Sequence, residues 1–181
     1  RWNVKINLTA LPLNPPTDQT LRRLFLEPLV AAKCIEDSFQ PCQSWFDFGS
    51  GGGSPAIPLK IVRPALRLTM VEAKTRKAAF LREVLRELGL ADASVRDARF
   101  QDVAAEEAIR ASADLITVRA VRADATLVLA VWALLRHRGR LLLFRGDRSA
   151  FITPPGFELV EASRLDNIGH SQLFILTKAI G

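Results

Sequence analysis

The chain contains no tyrosine, one methionine, two histidines and two cysteines. A structural zinc site needs four clustered nitrogen or sulfur ligands, and Cys34, Cys42, His137 and His170 do not have that spacing. No metal is expected. Two cysteines do not make a disulfide framework, and reduced thiols in a cytoplasmic protein are the expectation. Long apolar runs are lacking too. The stretch Leu127–Leu135 falls well short of the roughly 18–20 residues that span a bilayer. The start, Arg1-Trp2-Asn3-Val4-Lys5, lacks the continuous apolar region of a secretory leader. No membrane association is expected. Repeats, low-complexity tracts and linkers are also missing, so nothing divides the chain into several large domains.

What is present is enough for a substantial core. Of 181 residues, 49% are hydrophobic and 24% charged, which excludes disorder as the main state. A domain of this size buries about 70% of its unfolded surface without staples, and a monomer is expected. The net charge is +6, with 19 acidic residues against 25 basic. The excess is uneven: Lys60–Arg86 and Arg119–Arg148 are both strongly basic. Clustered cations of this kind suit a polyanionic partner, because they displace condensed counterions from phosphate.

Along the chain, a proline-rich loop from Pro12 to Pro16 precedes a helix that Thr17 or Asp18 can cap. In it Leu21, Leu24, Phe25 and Leu29 have the spacing of one apolar face. Residues 1–40 read as an N-terminal helical segment, and residues 41–181 as the main domain. Strands are expected at 45–48, 67–72, 94–96, 115–118 and 140–144. Helices are expected from the glycine loop to about Val62, at 75–88, 101–110 and 124–135. In the helix over 75–88, Ala78, Leu81, Leu85 and Leu88 share a face, and Gly89 stops it. Arg136, Arg138 and Arg140 read as a solvated helix end favourable to its dipole. Alternating strands and helices imply an α/β fold with a parallel sheet and right-handed crossovers. Two last strands, at 157–161 and 172–176, have no long helix between them and imply an antiparallel pair. The pattern suits a seven-stranded, mostly parallel, Rossmann-like sheet of the methyltransferase kind.

The first strand runs into Asp47-Phe48-Gly49-Ser50-Gly51-Gly52-Gly53. That is where an open parallel sheet binds ligand, and glycines let a ligand approach the backbone closely. Glu72 ends the next strand and can accept two hydrogen bonds from ribose hydroxyls. Asp47, Gly49, Gly51 and Glu72 are therefore candidate cofactor-binding residues. No Gly-Lys-Ser or Gly-Lys-Thr follows, which disfavours a P-loop. Pro55 and Pro58 fall in the first helical turns without N–H donors, so a pyrophosphate is poorly served there. A cofactor without phosphates, S-adenosylmethionine, fits better than NAD. Two other motifs are decoys. Pro41-Cys42-Gln43 has the residues of a cytosine methyltransferase nucleophile but precedes the glycine loop. Asn14-Pro15-Pro16 lacks the aromatic residue of amino-group methyltransferases.

Over most of its length the sequence resembles the GidB/RsmG family of small-subunit ribosomal RNA guanine-N7 methyltransferases. The resemblance is carried by Trp2-Asn3 with Asn7-Leu8-Thr9, by Asp47–Pro64, by Glu72–Val84, by Val118-Arg119-Ala120-Val121 and by Leu143-Phe144-Arg145-Gly146. It implies S-adenosylmethionine binding at Gly49, Ser54, Glu72, Phe100, Gln101 and Arg119, and ribosomal RNA or the small ribosomal subunit as partner. Phe100 can stack on the base and Gln101 can hydrogen-bond near it. The sequence departs from the family in three places. The family's His-Ile-Leu-Asp-Ser is Leu24-Phe25-Leu26-Glu27-Pro28 here, its lysine before glycine is Arg145, and its Pro-Gly is Pro55-Ala56.

Guanine N7 is a lone pair without a proton, so its methylation needs positioning and no general base. Arg119 is the expected catalytic residue, reaching guanine O6 or a phosphate. Arg122 and Arg145 are the expected phosphate contacts. Two other readings stand beside this one: methyl transfer to a different RNA or small molecule, and a degenerate protein that binds cofactor or RNA without turnover.

Overall fold

The computed structural model describes residues 2–33, 35, 44–146, 150–165 and 171–179. Cys34, Cys42, His170 and the Pro41-Cys42-Gln43 motif lie outside the described residues. Three short helical pieces come first: α1 (Trp2–Ile6), α2 (Asp18–Leu21) and, after a π-turn over Arg22–Leu26, α3 (Glu27–Lys33). Then follow β1 (Ser44–Phe48), α4 (Ala56–Val62), β2 (Arg67–Glu72), α5 (Thr75–Glu87), β3 (Ala93–Asp97) and α6 (Phe100–Ala104). The chain continues as β4 (Ala113–Arg119), α7 (Ala125–Leu134), β5 (Leu135–Arg145), β6 (Phe157–Arg164) and β7 (Gln172–Lys178).

The strands form one seven-stranded sheet in the order β3-β2-β1-β4-β5-β7-β6. The first five strands pair in parallel, and β7 runs antiparallel to both β5 and β6. From β1 the chain winds outward through β2 to β3, then returns to place β4 on the other side of β1. The strand order therefore reverses between β1 and β4, and a crevice opens at their carboxyl ends.

Strand periodicity sorts the core into two layers. Trp45, Leu68, Met70, Leu115 and Leu142 face α3, α4 and α5, where Ala31, Leu59 and Leu81 are fully buried. Phe46, Phe48, Val71, Ile116, Val118, Leu141 and Leu143 face α6 and α7, against Val103, Leu127, Val131 and Leu134. Central strands buried on both faces read as continuous apolar runs, as β1 does from Trp45 to Phe48, with Asp47 as the exception.

Four expectations are corrected. The stripe Leu21, Phe25 and Leu29 is exposed, and Glu27, Pro28, Ala31 and Ala32 are buried in its place. The π-turn, closed by the Glu27 N–H donating to the Arg22 carbonyl, inserts an extra residue per turn and rotates the helix beyond it. Small alanines then allow close approach, and Arg63 Nη2 donates to the Ala32 carbonyl at 2.9 Å. The helix over 101–110 is only α6 followed by a 3₁₀ turn at Glu107–Ile109. Glu106 is extended (φ −73°, ψ 114°) and pairs with both terminal nitrogens of Arg96. Arg136, Arg138 and Arg140 lie on β5, not at a helix end. Leu135 is already extended and pairs with Ala113, and the irregularity before Leu115 absorbs the residues up to Arg140. Leu88 caps α5 and is exposed, although Ala78, Leu81 and Leu85 are buried as expected.

Candidate functional site

Two cavities adjoin at the crevice. The first, about 570 Å³, lies over the glycine loop and is lined by Leu8–Leu11, Gly49–Gly52, Ser54, Glu72, Phe80 and Arg119, among others. The second, about 620 Å³, lies beyond the ends of β4 and β5, with Glu27, Arg122, Phe144, Arg145 and Phe151 in its wall. Arg23, Arg119 and Ala120 belong to both. Both volumes are in the range of small-molecule sites.

The convergence follows from register. Asp47 pairs with Met70 on one side and Thr117 on the other, and Arg119 pairs with Phe144. Residues two apart share a face, so Asp47, Glu72, Thr117 and Arg119 all project on the Trp45–Leu68–Leu115 side. On that side the glycine loop crosses the strand ends.

The loop is fixed from below. Gly49 and Ser50 donate to the Val71 carbonyl at 2.9 and 3.2 Å, and Gly53 donates to the Ser50 carbonyl at 2.7 Å. Gly49 has φ +72°, and a Cβ there would stand 2.5 Å from Val121 Cγ2. Only glycine fits without rearrangement. Glu72 closes the loop: its Oε2 accepts from Gly51 N–H and its Oε1 from Lys74 N–H, both at 2.8 Å. Each carboxylate oxygen has two lone-pair sites, so one on each is left for a ligand hydroxyl.

Asp47 lies beneath the loop and outside both cavity linings. Thr117 Oγ1 donates to Asp47 Oδ1 at 2.5 Å and accepts from Trp45 Nε1 at 2.9 Å. Asp47 Oδ2 accepts no hydrogen bond among the described residues. Burial pushes this carboxyl from 3.8 up to about 6; hydrogen bonds with Ser50 and Thr117 act in the opposite sense.

Arg119 is the hinge between the cavities. Its Nη2 donates to Glu27 Oε2 at 2.5 Å, its Nη1 reaches Ser54 Oγ at 3.4 Å, and its guanidinium lies 5.7 Å from the Phe144 ring centroid. Burial lowers its pKa, with the nearby Arg23 acting in the same sense, while Glu27 opposes the shift. The ion pair seats two nearly buried side chains, 12% and 2% exposed.

Of the sequence candidates, Gly49, Gly51, Ser54, Glu72 and Arg119 meet in the first cavity, and Arg119, Arg122 and Arg145 in the second. Phe100 and Gln101 are not among the lining residues; Phe100 stacks on Phe48, centroids 5.3 Å apart. Sequence reasoning missed the N-terminal wall. Asn3 Oδ1 accepts from Leu8 and Thr9 N–H at 2.8 and 2.9 Å, and Asn3 Nδ2 donates to the Thr9 carbonyl at 3.1 Å. Trp2 packs edge-on against Phe80, centroids 5.7 Å apart, which ties α1 to α5. The Trp2-Asn3 and Asn7-Leu8-Thr9 motif was the available signal, with Asn7 taking the left-handed φ of +48°. Glu27 as the partner of Arg119, 92 residues away, was also missed. Among the described residues, no three His, Cys, Asp or Glu side chains gather as metal ligands, and no helix is long and apolar enough to cross a membrane.

Comparison with known proteins gives a consistent result. The family model described as GidB, rRNA small subunit methyltransferase G, matches residues 1–151. Ribosomal RNA small subunit methyltransferase G of Roseiflexus sp. is 40% identical over 148 residues, covering 81% of this chain and 60% of that protein. The protein of the same name from Xanthomonas axonopodis is 36% identical, covering 81% and 63%. The chain thus spans about three-fifths of the length of the curated relatives it matches. In fold it is similar to a SAM-dependent methyltransferase from Aquifex aeolicus, with TM-score 0.67 and 12% identity, covering 91% of this chain and 94% of that one. With a family-model match over most of its length and relatives at 36–40% identity, this chain belongs to the GidB family.

Proposed function

We propose that the chain is an S-adenosylmethionine-dependent methyltransferase that methylates N7 of a guanine in small-subunit ribosomal RNA. The observation that carries this reading is the pair of cavities sharing Arg119, one walled by glycine loop and carboxylate, the other by cations and aromatic rings. Family membership supports it.

The first cavity fits the adenosyl cofactor. Glu72 keeps a lone pair on each oxygen for a ribose diol, and Gly49, Gly51 and Gly52 line the cavity with bare backbone. Pro55 heads α4 and Pro58 follows in its first turn, which suits a ligand without phosphates. Gly49, Gly51, Ser54 and Glu72 would hold the cofactor, and Leu8–Leu11 would cover it. When bound, it supplies an electrophilic methyl group. The protein's part is then to seat the base and exclude water. Arg119, held by Glu27, marks the boundary across which the base faces the donor. Arg122 and Arg145 would meet RNA phosphates, and Arg145 also lies 5.7 Å from the Phe151 ring centroid. N7 needs no base to deprotonate it, so orientation is the main contribution asked of these residues.

The test is calorimetric binding of S-adenosylmethionine, with NAD as control, followed by methyl transfer to small ribosomal subunits. Binding lost in Glu72→Ala, with transfer to one guanine N7, is the expected outcome. Binding without transfer to any subunit or RNA refutes the substrate; no binding refutes the reaction class.

A further inference from the structure

We propose that Glu27 reads the Watson–Crick edge of the target guanine in the second cavity, with Arg119 beside it meeting guanine O6. This rests on the methyl-transfer reading above and adds the residue that selects the base and sets its orientation.

Glu27 lines the second cavity although its side chain is only 2% exposed. Its Oε2 accepts from Arg119, and its Oε1 accepts no hydrogen bond among the described residues. Leaving a buried carboxylate oxygen without a donor is costly, more so than a made bond is favourable. A ligand seated against this wall that brings N–H groups removes the deficit once the carboxylate turns its buried free oxygen into the cavity.

The donor pattern identifies the ligand. Guanine presents two adjacent donors, N1–H and the N2 amino group, followed by the O6 acceptor. A carboxylate beside a guanidinium offers acceptor, acceptor, donor, which is the complement. Adenine would set its N1 lone pair against the carboxylate. Cytosine would set N3 and O2 there, and uracil has one donor between two acceptors. No other common base matches.

The same match orients the ring. O6 and N7 lie on one edge of guanine, and Arg119 belongs to both cavities. A base with O6 at Arg119 therefore turns N7 toward the first cavity. Its sugar attachment lies on the far side of the ring, away from Glu27.

The test titrates the whole protein with the 5′-monophosphates of guanosine, inosine, 1-methylguanosine and adenosine, followed by NMR. Inosine lacks the N2 amino group, and 1-methylguanosine lacks the N1–H. Guanosine monophosphate is expected to bind about tenfold or more tightly than each of the others, as for a hydrogen bond to a charged group. In Glu27→Gln the carbonyl stays on Arg119 and the amide sets its N–H against the guanine N2 amino group, so the preference for guanosine over inosine monophosphate disappears. Equal binding of guanosine and inosine monophosphates overturns the proposal. So does a guanosine preference unchanged in Glu27→Gln, or no binding of any of the four at millimolar concentration. The wild-type series needs no variant, so a Glu27→Gln chain that fails to fold does not remove the test. Calorimetry with S-adenosylmethionine on the same preparation separates the two readings. Guanine discrimination without cofactor binding refutes methyl transfer and leaves Glu27 as the base reader; cofactor binding without discrimination does the reverse.

Discussion

Asp47→Asn is expected to change how stability depends on pH, and the size of the change follows from where Asp47 sits. The carboxyl is 1% exposed, and burial lifts it from 3.8 to about 6. The folded chain therefore holds the proton up to about pH 6, while the unfolded chain releases it near 3.8. Between those values the folded state binds more protons, so stability falls as pH rises. The full loss corresponds to about 3 kcal/mol, and about 2 kcal/mol of it falls between roughly pH 4.5 and pH 7.5. Asparagine keeps the acceptor for Thr117 and carries no charge. Urea unfolding of both proteins across that range is the assay. The stability difference, variant minus wild type, is expected to rise by about 2 kcal/mol from the acid end to the neutral end. Other carboxylates titrate in both proteins and cancel in the difference. Parallel profiles would refute the reasoning: Asp47 would then titrate as an ordinary carboxylate, and desolvation would not govern it.

Two further outcomes follow from the loop and its cover. Gly49→Ala sets a Cβ 2.5 Å from Val121 at a φ of +72°. It is expected to cost about 1–3 kcal/mol of stability in denaturant unfolding and to weaken cofactor binding by calorimetry. Asn3→Ala removes three hydrogen bonds from half-exposed backbone at Leu8 and Thr9. Hydrogen exchange at those amides is expected to accelerate about tenfold or more, with little change in melting temperature.

Much of the fold is legible from local pattern. Continuous apolar stretches bounded by glycine or charged residues mark the parallel strands. The period of two then places Asp47, Glu72 and Arg119 on one face before any tertiary contact is considered. Other features depend on contacts that no local window contains. Leu21, Phe25 and Leu29 have good helical spacing, yet the π-turn rotates them out and brings Glu27 in. Glu27 meets Arg119 across 92 residues, and Leu8 reaches the glycine loop through a loop that Asn3 pins. Glu106 is drawn out of a helix by Arg96 on a neighbouring strand. Phe100 stacks on Phe48, since the strand end offers an aromatic ring at the right depth.

Arg119 as common wall also makes the two cavities thermodynamically answerable to each other. A ligand that fixes this guanidinium from one side spares the other ligand that ordering. One that pulls it away leaves the Glu27 carboxylate for the other to neutralise. Whatever factor the first ligand imposes on the affinity of the second, the second must impose on the first. Any coupling between occupants of the two cavities thus runs through a guanidinium that both share, and its sign decides which of them enters an already prepared site.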